Sequence, residues 1–188
     1  MNEIIILDKE VFLFLNNLGS ETWDGFWMFI TNKWGSIPLY ILLLIFSFRQ
    51  LGLKKTGVLL VCIALLITAT DQLANAFKYG FERLRPCHDL SVNNSMRLVK
   101  SYCGGKFGYF SAHAANAMAV AVFFALLFNR RIPFLPLLLL IWALMVGYSR
   151  IYIGVHFPGD VLTGFFMGAA LGSIFYALFK VVLQKLKV

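Results

Sequence analysis

The chain has 188 residues, 60% of them hydrophobic, with 17 basic against 9 acidic side chains and a formal charge of +8; its mean hydropathy is +0.76. Soluble domains of this size are about 45–50% apolar, so the composition excludes an ordinary soluble fold and points to one integral-membrane domain over residues 1–188. The basic excess does not indicate nucleic acid, because the cations are scattered among lipid-facing runs. Membrane orientation and an anion pocket account for them better.

The first segment is not a signal peptide. Glu3, Asp8, Lys9 and Glu10 surround short apolar pieces, and no small-residue cleavage site follows. Ile4 to Leu7 and Val11 to Leu15 instead form apolar clusters broken by charge, which predicts an amphipathic helix lying at the membrane interface within residues 1–20. A first span is expected from about Trp23 to Phe48, with a kink near Gly35 and Pro38 and with Lys33 keeping its first part at the interface. A second is expected from about Lys55 to Phe77. Asp71 inside it is costly in lipid and requires a partner. A polar loop over 78–110 follows. The remaining spans are Ser111–Phe128, Pro133–Tyr152 and Pro158–Leu183. The last two carry Gly147, Gly164, Gly168, Ala169, Ala170 and Gly172, small residues that let helices approach closely. The fold class is therefore an all-α polytopic membrane protein of five to six helices, a helical-bundle core over 55–183 with an N-terminal interfacial helix.

The connections at 49–55 and 129–131 and the tail from 180 carry Arg49, Lys54, Lys55, Arg130, Arg131, Lys180, Lys185 and Lys187 and no acids, which assigns them to the cytoplasm. The N-terminal helix, the 78–110 loop and the 150–158 turn then share the outer face. Of three cysteines, Cys62 lies in an apolar run. Cys87 and Cys103 share the outer loop, where an oxidising compartment would allow a disulfide and a reducing one would leave two thiols.

The polar residues that remain sit at span ends. Hydrolysis of a phosphate ester without metal needs cations and N–H donors on the oxygens, a nucleophile for phosphorus and an acid for the leaving alkoxide. Lys78, Arg85 and Arg150 can surround the phosphate, the arginines bidentately. Ser111 is placed to open a helix whose free N–H groups favour an anion. Asp160, four residues after His156, can hold one ring nitrogen and leave the other to attack. His113 is then the acid. No HxxxH or paired-carboxylate pattern is present, so no metal and no other cofactor is expected.

Taken singly these residues are weak signals. A cation at a span end is ordinarily a snorkelling anchor, and Asp160 can simply favour a helix start. The joint spacing across three segments on one face is what argues for a site. Arg83, Arg97, Lys100 and Lys106 are read as solvating the loop, with an anion funnel as the second choice, and Glu82 as paired locally. Tyr148 and Tyr152 are read as packing. Trp23, Trp27, Trp34, Tyr102, Phe107, Tyr109 and Phe110 suit an interfacial belt.

The pattern Lys78-x6-Arg85-Pro86, Phe110-Ser111-Ala112-His113 and Ser149-Arg150-x5-His156-x3-Asp160 resembles the three-part signature of the type 2 phosphatidic acid phosphatase superfamily, which also includes vanadium-dependent haloperoxidases. The first and third parts match fully. In the second, Phe110 and Ala112 stand where proline and glycine are usual, and Ala112 keeps its backbone N–H for phosphate. The resemblance implies a phosphohistidine on His156, orientation by Asp160, leaving-group protonation by His113 and phosphate binding by Lys78, Arg85, Ser111, Ala112 and Arg150. The implied substrate is a lipid phosphate or diphosphate in the bilayer: undecaprenyl diphosphate, phosphatidylglycerol phosphate, phosphatidic acid or a lipid A phosphate. The implied location is a bacterial inner membrane with the site on the periplasmic face. A phosphotransferase, a vanadate haloperoxidase and a non-catalytic lipid-phosphate binder or transporter are the alternatives. The residues do not specify an oligomeric state.

Overall fold

The computed structural model describes residues 2–186. The chain forms α1 (Asn2–Asn17), α2 (Glu21–Thr31), α3 (Lys33–Phe81), a short 3-10 turn (Pro86–His88), α4 (Ala112–Phe128), α5 (Leu135–Tyr152) and α6 (Pro158–Lys185). Three of these, α3, α5 and α6, are long and apolar enough to cross a membrane. The molecule is an integral membrane protein.

Three boundaries differ from expectation. The span predicted from Trp23 is divided at Asn32, whose extended backbone (φ −82°, ψ 145°) ends α2 and whose side chain caps α3 by accepting from the Trp34 N–H. The expected kink near Gly35 and Pro38 is this break. Gly35 serves it, since a Cβ there would lie 2.2 Å from the Phe29 carbonyl oxygen. The side chain of Lys33, and Lys187 of the basic tail, lie outside what the structure describes. The connection predicted over 49–55 shrinks to Gly52, whose positive φ of 76° (ψ 173°) breaks the helical path inside α3. There the chain folds back: Ile37, Tyr40 and Leu44 on the first arm line one crevice with Leu59, Ile63 and Ile67 on the second. Lastly, α3 runs to Phe81, so Lys78 lies in a helical last turn and not in the loop.

Helix α4 is apolar on all sides, as a helix surrounded by others must be. Its buried residues include Ala114, Ala115, Ala117 and Ala119. Helix α6 lies directly on this face. A Cβ at Gly164, Gly168 or Gly172 would stand 2.7, 2.2 or 2.5 Å from the carbonyl oxygens of Ser111, Ala115 and Ala119. Glycine removes the spacing a side chain would impose, and dispersion then acts across two backbones in contact. Phe123, Phe128, Leu139 and Phe179 fill the far half of the bundle. Near the start of α4, Asp71 meets its partner, accepting from Asn116 Nδ2 at 2.8 Å.

The bundle has two distinct ends. Arg131 donates to the Gln50 carbonyl at 3.3 Å, which brings the two short basic connections together. The other end carries the 82–111 loop, the 153–157 turn, α1 and α2. Helix α1 turns polar and aromatic residues inward: Asn16 is fully buried, its Nδ2 donating to the Ile151 and Tyr152 carbonyls and its Oδ1 accepting from the Arg97 N–H at 2.7 Å. Phe12 packs edge-on against Phe157. Ile4, Ile6, Leu7 and Phe14 remain exposed, the apolar face of an interfacial helix.

Candidate active site

Four segments converge at this second end. Helix α3 delivers Lys78 in its last turn. The loop after it delivers Arg85, whose Nε donates to the Phe107 carbonyl at 3.2 Å and whose backbone N–H donates to the Lys106 carbonyl at 3.1 Å. Ser111 is the N-cap of α4, with Oγ facing the Ala114 N–H, and Ala112 and His113 form the first turn. The end of α5 supplies Arg150. A turn through Gly154, whose φ of 82° admits no ordinary side chain, leads to His156. Pro158 then opens α6, with Asp160 in its first turn. The Ser111 N–H donates to the Asp160 carbonyl at 3.0 Å, joining the starts of α4 and α6.

Ser111, Ser149, Arg150, His156 and Asp160 are all buried. Asp160 Oδ2 accepts from the Phe157 N–H at 3.0 Å and lies 3.4 Å from His156 Nδ1. Contacts of this kind are often long in a free enzyme and tighten on substrate binding. Gly108 lets the loop close over the pair, because a Cβ there would be 3.3 Å from Asp160 Oδ2 and 3.0 Å from Arg85 Cγ.

Lys78, Arg85 and Arg150 lie close enough to repel one another. His113 lies in the field of Arg150, His156, Lys100 and Lys78. Burial holds the Arg85 guanidinium below its usual range, with Asp160 opposing. Burial, followed by Arg85, Arg150 and Lys78, holds the His156 imidazole well below its ordinary value, while the Gly108 carbonyl pulls the other way. This favours the neutral ring, the form able to act as a nucleophile. Arg150 Nε and His156 Nδ1 are buried without a hydrogen-bond partner among the described residues. Three clustered cations, with the Arg150 Nε donor unmet among the described residues, could cradle a dense anion whose tetrahedral oxygens suit the donor set.

Two readings of the loop are corrected. Arg83 does not solvate it: its Nη1 donates to Asp160 Oδ1 at 2.8 Å and its Nη2 to Asp8 Oδ2 at 2.5 Å. Arg97 pairs with Asp24 of α2 at 3.0 Å. Burying the Asp160 carboxylate requires a counter-charge, and Arg83 supplies it. Glu82 is not paired locally. It is exposed, takes the left-handed C-cap of α3 (φ 49°) and has no salt bridge among the described residues. Tyr152 does more than pack, donating to the Ser20 carbonyl at 2.8 Å. Asp8 and Thr31 are not among the residues the sequence singles out, and Arg83 is read there only as loop solvation or an anion funnel, because no spacing rule links residues 8, 31 and 83 to 150–160.

Phe110 is fully buried against Ala74 and Ala115, with its ring edge-on to Phe77, so the residue standing at the usual proline position wedges α3 against α4. Cys87 and Cys103 are joined, with their Cα atoms 6.2 Å apart. His88 lies beside them, but two sulfurs bound to each other offer no thiolates to a metal.

Residues 58–183 match the PAP2 superfamily. The chain belongs to that superfamily. It is 34% identical over 172 residues to the lipid A 4'-phosphatase of Bacteroides thetaiotaomicron, covering 90% of this chain and 76% of that one. It is 32% identical over 182 residues to the lipid A 4'-phosphatase of Porphyromonas gingivalis, covering 95% and 75%. The fold resembles the crystal structure of the transmembrane PAP2 type phosphatidylglycerolphosphate phosphatase from Bacillus subtilis, with a TM-score of 0.72 at 24% identity over 98% of this chain and 88% of that one. This PAP2 protein is thus an integral-membrane phosphatase. The superfamily match leaves α1, α2 and the first arm of α3 outside it.

Proposed function

We propose that this protein removes phosphate from a membrane lipid through a phosphohistidine on His156, without a metal ion, on the face of the membrane opposite the basic connections. What supports the reading is a buried His156 lying 3.4 Å from Asp160 Oδ2 and in the field of Arg85, Arg150 and Lys78. The short basic connections gather at the opposite end, which supports a cytoplasmic placing for them and an outer, periplasmic site in a bacterial inner membrane.

In this mechanism Lys78, Arg85, Arg150, the Ser111 hydroxyl and the Ala112 N–H hold the phosphate oxygens. The free nitrogen of His156 attacks phosphorus as the ester P–O bond breaks. Asp160 holds Nδ1–H and balances the charge of the phosphorylated ring. His113 gives its proton to the leaving alkoxide. Water then attacks the phosphohistidine and loses a proton to His113, releasing inorganic phosphate and restoring His156. We favour a phosphomonoester on a saccharolipid of the lipid A type, because the two relatives described above are named for that activity.

The test is phosphate release by purified protein in detergent, with EDTA present, from lipid A phosphate, phosphatidylglycerol phosphate, phosphatidic acid and undecaprenyl diphosphate. Turnover lost in His156→Ala, together with an acid-labile, base-stable labelled enzyme, is expected. Undiminished turnover in His156→Ala would refute the mechanism.

A further inference from the structure

Asp160 is fully buried, and its two oxygens have separate duties. Oδ2 faces His156 Nδ1 and accepts from the Phe157 N–H. Oδ1 is taken by Arg83 at 2.8 Å. The Arg83 guanidinium lies 4.6 Å above the Phe157 ring, so its plane is fixed from one side. From another side it is fixed by Asp8 of α1, at 2.5 Å from Nη2. The second oxygen of Asp8 accepts from the Gly159 N–H at 2.7 Å, one residue before Asp160, among the free N–H groups that open α6. Asp8 thus grips both the arginine that orients Asp160 and the backbone that carries it.

Electrostatics adds a second reason for this arrangement. An unopposed Arg83 would draw the charge of Asp160 toward Oδ1 and away from His156, weakening the support Asp160 gives when the ring becomes positive. A carboxylate on the far side of Arg83 offsets that pull. The chain Asp8, Arg83, Asp160, His156 alternates in sign along its length.

We infer that Asp8 and Arg83 are positioning residues of the reaction, so that the N-terminal helix, outside the superfamily match, completes the active site. This rests on the phosphohistidine reading above. Neither side chain touches the phosphate. Both act by setting the carboxylate that aims the nucleophile.

A purely structural role for α1 makes a different prediction. Lys9, the next residue, also ties α1 to the loop, through Asp89 at 2.7 Å. If Asp8 merely docks the helix, losing either tie should have similar consequences. The experiment compares Asp8→Asn, Asp8→Glu, Arg83→Gln, the Asp8→Asn/Arg83→Gln double variant and Lys9→Ala, all checked for thermal unfolding in detergent. Lipid-phosphate turnover and equilibrium binding of orthovanadate, a mimic of the five-coordinate phosphorus, are both measured. Asp8→Asn is expected to lower kcat about tenfold with KM within about twofold, and to weaken vanadate about tenfold. Asp8→Glu should recover part of both. The double variant should be no worse than Arg83→Gln, and Lys9→Ala should resemble wild type. Wild-type kcat and vanadate affinity in folded Asp8→Asn would overturn the inference, as would equal losses in Asp8→Asn and Lys9→Ala. Failure of the phosphatase reading itself would look different, since His156→Ala would then match wild type in both assays.

Discussion

Arg150 donates through Nη1 to the Oγ1 of Thr31, the last residue of α2. Both side chains are buried, and the Nε of the same guanidinium has no hydrogen-bond partner among the described residues. One end of the arginine is therefore anchored by a helix outside the superfamily match, and the rest remains available to an anion. Thr31→Val keeps the shape and removes the acceptor. A hydrogen bond to a charged group contributes about 1.5–3 kcal/mol, so phosphate-level binding should weaken about tenfold, seen as a raised KM and poorer vanadate affinity in steady-state and titration experiments. An unchanged KM would show that the anchor is dispensable.

Asn116 Nδ2 donates at 2.8 Å to Asp71, a carboxylate lying mid-helix in an apolar span, and Lys78 two turns on lies within its field. Asn116→Leu would leave Asp71 facing lipid or core without its donor. The expected loss is about 1–3 kcal/mol, read as a lowered unfolding temperature in detergent, with recovery when Asp71→Asn is combined. A variant as stable as wild type would mean that Asp71 reaches water or another donor.

Gly168 meets the Ala115 carbonyl so closely that even one methyl must push α6 away from α4. Gly168→Val should cost about 1–3 kcal/mol from overpacking and should also cut activity, because Ser111 and Asp160 sit at the starts of these two helices. Gly57, with open space around its Cβ position, is the control: Gly57→Ala should unfold at or above the wild-type temperature. Equal behaviour of the two would contradict the close α4–α6 contact.

The neutral His156 has a signature in the pH dependence of stability. Its folded value lies well below the ordinary one through burial, then through Arg85, Arg150 and Lys78. The unfolded chain takes up its proton at about pH 6.5 while the folded protein does not. Stability from this group is thus intact above about pH 6.5 and declines as the pH falls below it, since the unfolded state binds more protons. Unfolding temperatures at about pH 5 and 7.5 should differ more for wild type than for His156→Gln. Parallel profiles would show that the ring titrates normally in the folded protein.

Much of this protein was legible without coordinates. Hydropathy marks spans because a bilayer accepts only long apolar helices, and α4, α5 and α6 lie within about two residues of their predicted limits. Lys78, Arg85, Ser111, His113, Arg150, His156 and Asp160 stand out in the sequence as candidates because a phosphate site draws on few residue types, held at fixed offsets within single segments. Turns were harder. Asn32 and Gly52 act through backbone conformation, which a hydropathy window averages away. Tertiary structure alone decided the rest. The partner of Asp71, the clamp of Thr31 on Arg150 and the line from Asp8 through Arg83 to Asp160 join residues 45 to 119 positions apart. Sequence sets the chemistry of each of these groups, but only the packing of α1 and α2 against the end of the bundle determines which charge each one meets.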